Sequence, residues 1–407
     1  MTSGNIRPMS NVSAEATAKP APERPPAGPA QAIGAGMVTA LVGFTSSFAV
    51  VLSGLTAVGA SAAQAASGLL ALCVTLAIGM MALSYRYRMP ITLAWSTPGA
   101  ALLAGAGAVE GGWPAAIGAF VLAGALIVVT GLWQRLGGLV AAIPVEIAQA
   151  MLAGVLLPLC LAPVRAVQTS PAVVAPVILV WLVLQRYAQR WAVIAAFVTA
   201  AAGAAISIVA GHRHLDVGAM APRLELTLPH WSWQALIGVA IPLYIVTMAS
   251  QNIPGTAVLA SFDYRVPWRA AMTVTGLGTV IGAPAGGHAI NLAAISAALS
   301  AAPAAHPDPK RRWIAAFTAG ASYLLLALGS AALVTLIATA PAGTLETVAG
   351  LALLATLAAA LGAALRSEHR EAGVVTFLIA ASGVGFAGIG AAFWALLAGL
   401  IVRKVLR

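Results

Sequence analysis

Apolar runs broken by charge, proline or glycine clusters dominate the chain from residue 32 to residue 405. Seven of them lie near 32–57, 62–84, 90–108, 114–134, 142–163, 170–187 and 190–211. A polar loop, 212–232, separates these from seven more near 233–260, 267–283, 287–302, 312–338, 344–365, 371–388 and 389–405. Each run is close to the ~20 residues that a helix needs to cross a bilayer. The runs lack the two-residue alternation of a transmembrane barrel, so helices are the spanning structure left. The pattern predicts an all-α integral membrane protein of fourteen spans. The third and tenth spans are interrupted by Ser96-Thr97-Pro98-Gly99 and by Pro284-Ala285-Gly286-Gly287-His288, and the last two are joined by a tight turn.

Seven spans on each side of one loop make an odd repeat unit. An odd unit places its second copy upside down in the membrane, the inverted-repeat construction of many secondary transporters. The chain therefore divides into a tail (1–31), a first repeat (32–211), the loop (212–232) and a second repeat (233–407). The tail is rich in Pro, Ala and Ser with mixed charges. It reads as disordered and cytoplasmic, without the apolar stretch of a signal peptide.

Composition agrees with the pattern. Of 407 residues 60% are hydrophobic and 8% charged, with mean hydropathy +0.94, too little charge for a wetted surface. The net charge of +10 is spread between spans, which speaks for topology and against nucleic acid as a partner. With both termini cytoplasmic, eighteen Lys and Arg fall inside and Arg165, Arg213 and Arg223 fall outside. This asymmetry predicts a multi-pass protein of a bacterial inner membrane with both ends in the cytoplasm. Cys73 and Cys160 lie in apolar runs and read as core residues.

Enzyme chemistry finds no foothold. No phosphate loop, zinc helix or nucleophile elbow is present, and no pair of carboxylates is poised within a span. No metal or cofactor is expected. What remains are polar clusters at membrane depth: Thr45-Ser46-Ser47 in the first span, Ser96-Thr97 in the third, Ser250-Gln251-Asn252 in the eighth, and His288 and Asn291 in the tenth. Such groups either satisfy their own helix and glue neighbours together, or line a wet cavity. The Pro and Gly residues beside them fit half-helices whose N-terminal N–H groups point into the bilayer centre and attract anions.

Three blocks carry a resemblance. They are Arg88-Met89-Pro90-Ile91 through Trp95-Ser96-Thr97-Pro98-Gly99-Ala100, Ala249-Ser250-Gln251-Asn252-Ile253-Pro254-Gly255, and Gly286-Gly287-His288-Ala289-Ile290-Asn291-Leu292. In these the chain resembles the BenE-type benzoate:proton symporters, which are similar in turn to nucleobase and sulfate carriers. The resemblance implies a core domain of spans 1–4 and 8–11 and a gate domain of spans 5–7 and 12–14. It implies import of benzoate, or a similar small aromatic carboxylate, with a proton by alternating access. Nucleobase carriers have carboxylates where this chain has Gln251, Asn252 and Asn291, and a site without acids suits an anion better.

On this reading Thr97 and Gly287 mark the half-helix N-termini that hold the carboxylate, with Ser96, Gly99 and Gly286 beside them. Trp95 with Phe44 or Phe48 faces the ring, beside Thr45 and Ser46. Gln251, Asn252 and Asn291 orient the ligand by hydrogen bonds, and His288 carries the coupling proton. A homodimer is compatible with it. A passive anion channel, or a carrier of another organic anion on the same fold, is the alternative.

Overall fold

The computed structural model describes residues 28–210 and 217–406. The expected tail to residue 27, the loop residues 211–216 with Arg213, and Arg407 lie outside them. Among the described residues seven helical segments are long and apolar enough to cross a bilayer: Pro29–Ala57, Ala62–Tyr87, Gly112–Leu132, Val145–Thr169, Trp191–Ala210, Trp233–Ala260 and Thr344–Leu365. These are spans 1, 2, 4, 5, 7, 8 and 12. Span 11 is a pair, Pro309–Leu328 and Ser330–Ile337, bent by 52°. Shorter helices supply span 6 (Pro171–Tyr187), span 9 (Trp268–Gly282), span 13 (Arg370–Ser382) and span 14 (Ala391–Val405).

Spans 3 and 10 are broken, each in the same way. In span 3 the strand β1 (Leu93–Trp95) runs into the half-helix Thr97–Ala106; in span 10 the strand β2 (Ile290–Leu292) precedes Ile295–Ala301. β1 and β2 pair antiparallel, with Leu93 opposite Leu292, Ala94 opposite Asn291 and Trp95 opposite Ile290. Extended backbone at this depth survives only if its polar groups find partners inside the protein. The two strands supply them to each other, and two further bonds extend the pairing, Ser96 N–H to Ala289 O (2.8 Å) and Ala293 N–H to Thr92 O (3.0 Å).

Local chemistry explains several span ends. Ser61 opens span 2 with a capping box: Gln64 N–H donates to Ser61 Oγ (3.2 Å) and Ser61 N–H to Gln64 Oε1 (2.9 Å). Arg88 closes it with a left-handed backbone (φ 52°), its guanidinium over the rings of Tyr85 (4.4 Å) and Trp313 (4.2 Å). Three expectations need correction. Span 1 starts at Pro29 rather than 32, and it is interrupted at Ser46–Ser47, where Ser47 leaves helical geometry (φ −150°, ψ 0°). Span 13 ends at Ser382 rather than 388. Gly383 (φ 65°) and Gly388 (φ 74°) shape a loop, 383–390, longer than the tight turn expected, in which Phe386 and Ile389 bridge before span 14.

The helices pack in two groups. Spans 1–4 interlock with spans 8–11, chiefly 4 against 9, 2 against 11 and 1 against 11 and 3. Spans 5–7 interlock with 12–14, chiefly 5 against 12 and 13, 6 against 7, and 13 against 14. These contacts come in matched sets: 2 with 11 mirrors 9 with 4, and 6 with 7 mirrors 13 with 14. A pseudo-twofold relation between an N-terminal and a C-terminal set of seven produces this pattern. Small residues let the backbones close up. A Cβ on Gly124 would sit 2.9 Å from Gly276 O, and one on Gly276 2.7 Å from Gly124 O, where spans 4 and 9 cross.

Candidate functional site

A cavity of about 550 Å³ lies between the two groups where the broken spans meet. The first group contributes Gly43, Ser46 and Ser47 of span 1, Trp95, Thr97 and Pro98 of span 3, Ser250 and Gln251 of span 8, and Ala293, Ala294 and Ser296 of span 10. The second group closes it with Gln149 and Leu152 of span 5 and with a stretch of span 12 from Ala352 to Ala363. Among the described residues none of the lining side chains is an acid, a base or a histidine. Along span 12 its lining reaches Ala363, close to the end that precedes Arg366 and Arg370.

Its polar wall is built by the helix breaks. Trp95 is 2% exposed, and its indole N–H donates to Ser47 Oγ (2.8 Å), a contact that the interruption of span 1 makes available. Ser96 caps the span 3 half-helix, its Oγ accepting from Gly99 N–H (3.1 Å) and from Thr247 Oγ1 (2.8 Å). Ala100 N–H bonds back to Ser96 O and Pro98 has no N–H. That leaves Thr97 N–H as the first-turn donor for a ligand, at the positive end of a ten-residue helix. In span 8 a π-helical turn, Met248–Asn252, falls on the polar cluster. One extra residue per turn at such a bulge re-aims side chains. Gln251 lines the cavity, whereas Asn252 points away and is fully buried.

Several expected site residues stand elsewhere. Asn252 Oδ1 accepts Leu292 N–H (2.8 Å) and its Nδ2 donates to Met248 Sδ (3.1 Å), so it pins β2. Thr45 donates to Leu41 O within its own helix. Phe44 and Phe48 are buried behind Trp95: Phe44 meets its ring edge-on at 5.6 Å, and Phe48 stacks on Phe44 at 5.5 Å. Gly99 is packed against span 8, where an added Cβ would lie 2.5 Å from Leu243 Cδ1.

The span 10 half-helix begins at Ile295, not at Gly287. Gly286 turns the chain with φ 94°, and Gly286 and Gly287 N–H donate to Ala283 O and Gly282 O. Ile290 N–H donates to Thr279 Oγ1 (3.0 Å). The donors expected to meet an anion are consumed by this turn and by the β pairing. His288 and Asn291 are fully buried outside the cavity wall. His288 packs beside Phe120, at 6.4 Å between ring centres. Asn291 Oδ1 is buried with no hydrogen-bond partner among the described residues.

Gln149, Ser296 and Thr356 line the cavity and carry no signal in the sequence beyond being polar within a span. Glu146, one turn before Gln149, is held by Arg403 of span 14 at 2.9 Å.

Fold and cavity together define a polytopic membrane protein whose two groups of spans enclose a buried cavity. The architecture is that of solved anion-transporter structures. Over 92% of this chain the transmembrane domain of a cyanobacterial bicarbonate transporter, BicA, superimposes with a TM-score of 0.52 at 17% identity, with 97% of that chain covered. SLC26A9 gives 0.62 at 12% identity, over 92% of this chain and 65% of that one. Both share the seven-plus-seven inverted-repeat fold.

In sequence the chain is 38% identical over 374 residues to the inner membrane protein YdcO of Escherichia coli, spanning 91% of this chain and 95% of that protein. It is 28% identical over 379 residues to a benzoate membrane transport protein of Acinetobacter baylyi, spanning 91% and 94%. Residues 27–405 match the BenE family, described as benzoate membrane transport protein. The chain belongs to that family, and it is a multi-pass inner membrane protein.

Proposed function

We propose that this transporter imports benzoate, or a closely similar aromatic carboxylate, together with a proton, by movement of spans 1–4 and 8–11 against spans 5–7 and 12–14. The cavity carries the reading. It offers an indole, a half-helix N-terminus at Thr97 and uncharged donors, with no fixed charge on its wall. A monoanion with an apolar ring suits such a wall: the ring meets Trp95 and the carboxylate meets Thr97 N–H and the amide of Gln251. The family to which the chain belongs supports benzoate as the substrate.

Coupling follows from charge. Benzoic acid titrates near a glutamic acid, roughly 4, so the substrate enters as an anion. A negative-inside potential opposes that by ~2.3 kcal/mol per 100 mV. A proton taken up with the anion cancels the charge. We assign this proton to His288. It reaches the site through the chain: the carbonyl of its neighbour Ala289 accepts Ser96 N–H, at the cap of the ligand-binding half-helix.

Radiolabelled benzoate uptake into proteoliposomes tests the reading. Saturable accumulation driven by an imposed acid-outside gradient is expected. Conductance without accumulation would favour a pore, and accumulation of other organic anions only would shift the substrate. His288→Gln should still exchange benzoate yet lose gradient-driven accumulation; if it accumulates like the parent, the proton travels elsewhere.

A further inference from the structure

A second cavity, of about 290 Å³, lies on the other side of the same helices, lined by Leu52 and Thr56 of span 1 and by Leu345 and Glu346 of span 12. The order of residues along the two helices shows how it relates to the first. On span 1, Ser46 and Ser47 face the larger cavity, Phe48 comes next, and Leu52 and Thr56 face the smaller one. Span 12 reads in the opposite sense: Glu346 faces the smaller cavity, then comes Val348, and Ala352 and Thr356 face the larger. The two cavities therefore lie on one path, separated by about one helical turn. At 1.5 Å per residue, the layer from Ser47 to Leu52 is roughly 7 Å thick.

That layer is aromatic and aliphatic. Phe48 and Phe197 of span 7 meet edge to face with ring centres 4.7 Å apart, and Val348 lies beside them. The void left among them is about 20 Å³. A space this poor in polar partners gives a water molecule nothing to bond to, and a dry constriction stops ions and polar solutes. The two walls belong to different groups. Phe48 rides on spans 1–4 and 8–11, whereas Phe197 and Val348 ride on spans 5–7 and 12–14. A barrier within one group would stay shut during transport; this one parts when the groups move against each other. Phe48 also stacks on Phe44, which meets Trp95 at the site, so the barrier and the ring-binding surface are one packed aromatic row.

We infer that Phe48, Phe197 and Val348 form the closed gate between the substrate cavity and the vestibule at Glu346, and that separation of Phe48 from the other two opens the second face of the carrier. The inference rests on the transport reading above. The test uses reporter cysteines in a background with Cys73 and Cys160, both buried, replaced by alanine. Glu346→Cys reports the vestibule and Ala352→Cys the cavity, each probed with a charged, membrane-impermeant thiol reagent in vesicles of both orientations.

In the parent background the two reporters should react from opposite sides. Phe197→Ala, and independently the milder Val348→Ala, should make Ala352→Cys react about tenfold faster from the Glu346 side, because the closed state loses its seal. Monodisperse elution of each variant confirms folding. If Ala352→Cys reacts from its own side but neither truncation speeds its reaction from the other, the gate is wrong and the transport reading stands. If Ala352→Cys is unreactive from both sides in the parent, water never enters the larger cavity and both readings fall.

Discussion

Asn252 and Trp95 show how a polar side chain inside a membrane protein acquires its role. Asn252 satisfies a backbone group: Leu292 N–H, in an extended segment buried from water, has Asn252 Oδ1 as its acceptor. Leaving such a donor unpaired costs about 1–3 kcal/mol. Asn252→Leu is therefore expected to lower the melting temperature in detergent and to loosen β2. Asn252→Asp, which keeps the acceptor, should lose less. A substrate-orienting role instead would leave stability unchanged and alter only affinity.

Trp95 faces the larger cavity with its ring and Ser47 with its N–H. Trp95→Phe keeps the apolar surface but gives up a hydrogen bond worth ~1 kcal/mol. Benzoate affinity should weaken by about fivefold, measured by isothermal titration or competition binding. Trp95→Ala should abolish measurable binding.

At the scale of elements, the glycine crossing of spans 4 and 9 and the ion pair between spans 5 and 14 hold each group together from within. Gly124→Val would drive its side chain into Gly276 O and Thr279. Overpacking of this kind costs about 1–3 kcal/mol, and the thermal-shift assay should register it while leaving the cavity residues untouched. The Glu146–Arg403 pair is mostly buried, with 9% and 24% of the side chains exposed. Removing one partner of such a pair strands the other charge. Arg403→Leu should destabilise more than the double change Glu146→Gln with Arg403→Leu, a sign that the pair is structural. If Glu146→Gln alone abolishes pH-driven accumulation without loss of stability, Glu146 carries the proton.

For the whole molecule, orientation in the membrane decides the direction of transport. Basic residues crowd one end of the spans. Cysteines placed near Ala221, between the repeats, should react with an external impermeant probe, and those at Tyr264 and Lys310 should not. With that orientation the larger cavity faces the cytoplasm and the Glu346 vestibule faces outward. External labelling at Tyr264 or Lys310 would reverse both.

The spans, their number and their arrangement as seven plus seven were legible in the chain because transfer into hydrocarbon depends on local composition and length alone. The breaks in spans 3 and 10 were legible for a related reason: Pro and Gly beside polar residues cannot continue a helix. The positions of Trp95 and Thr97 on the cavity wall, and of Ser96 at the cap beside them, follow from the break in span 3. Tertiary structure alone decided which polar groups face the cavity. Gln251 and Asn252 are neighbours of like chemistry, and a π turn sends one to the cavity and the other to β2. Gly287 and Ile295 both follow a break, but the N–H donors around Gly287 are taken up by a turn and a strand whose partners lie on spans 3, 8 and 9. Phe44 and Phe48 sit one turn from the site in sequence, yet pack behind Trp95 and join span 7. Gln149 and Thr356 enter the wall from the other group of helices, and nothing local marks them. Helix formation in a membrane is a property of each segment, whereas the direction of a side chain across a domain boundary is set by how distant segments pair and pack.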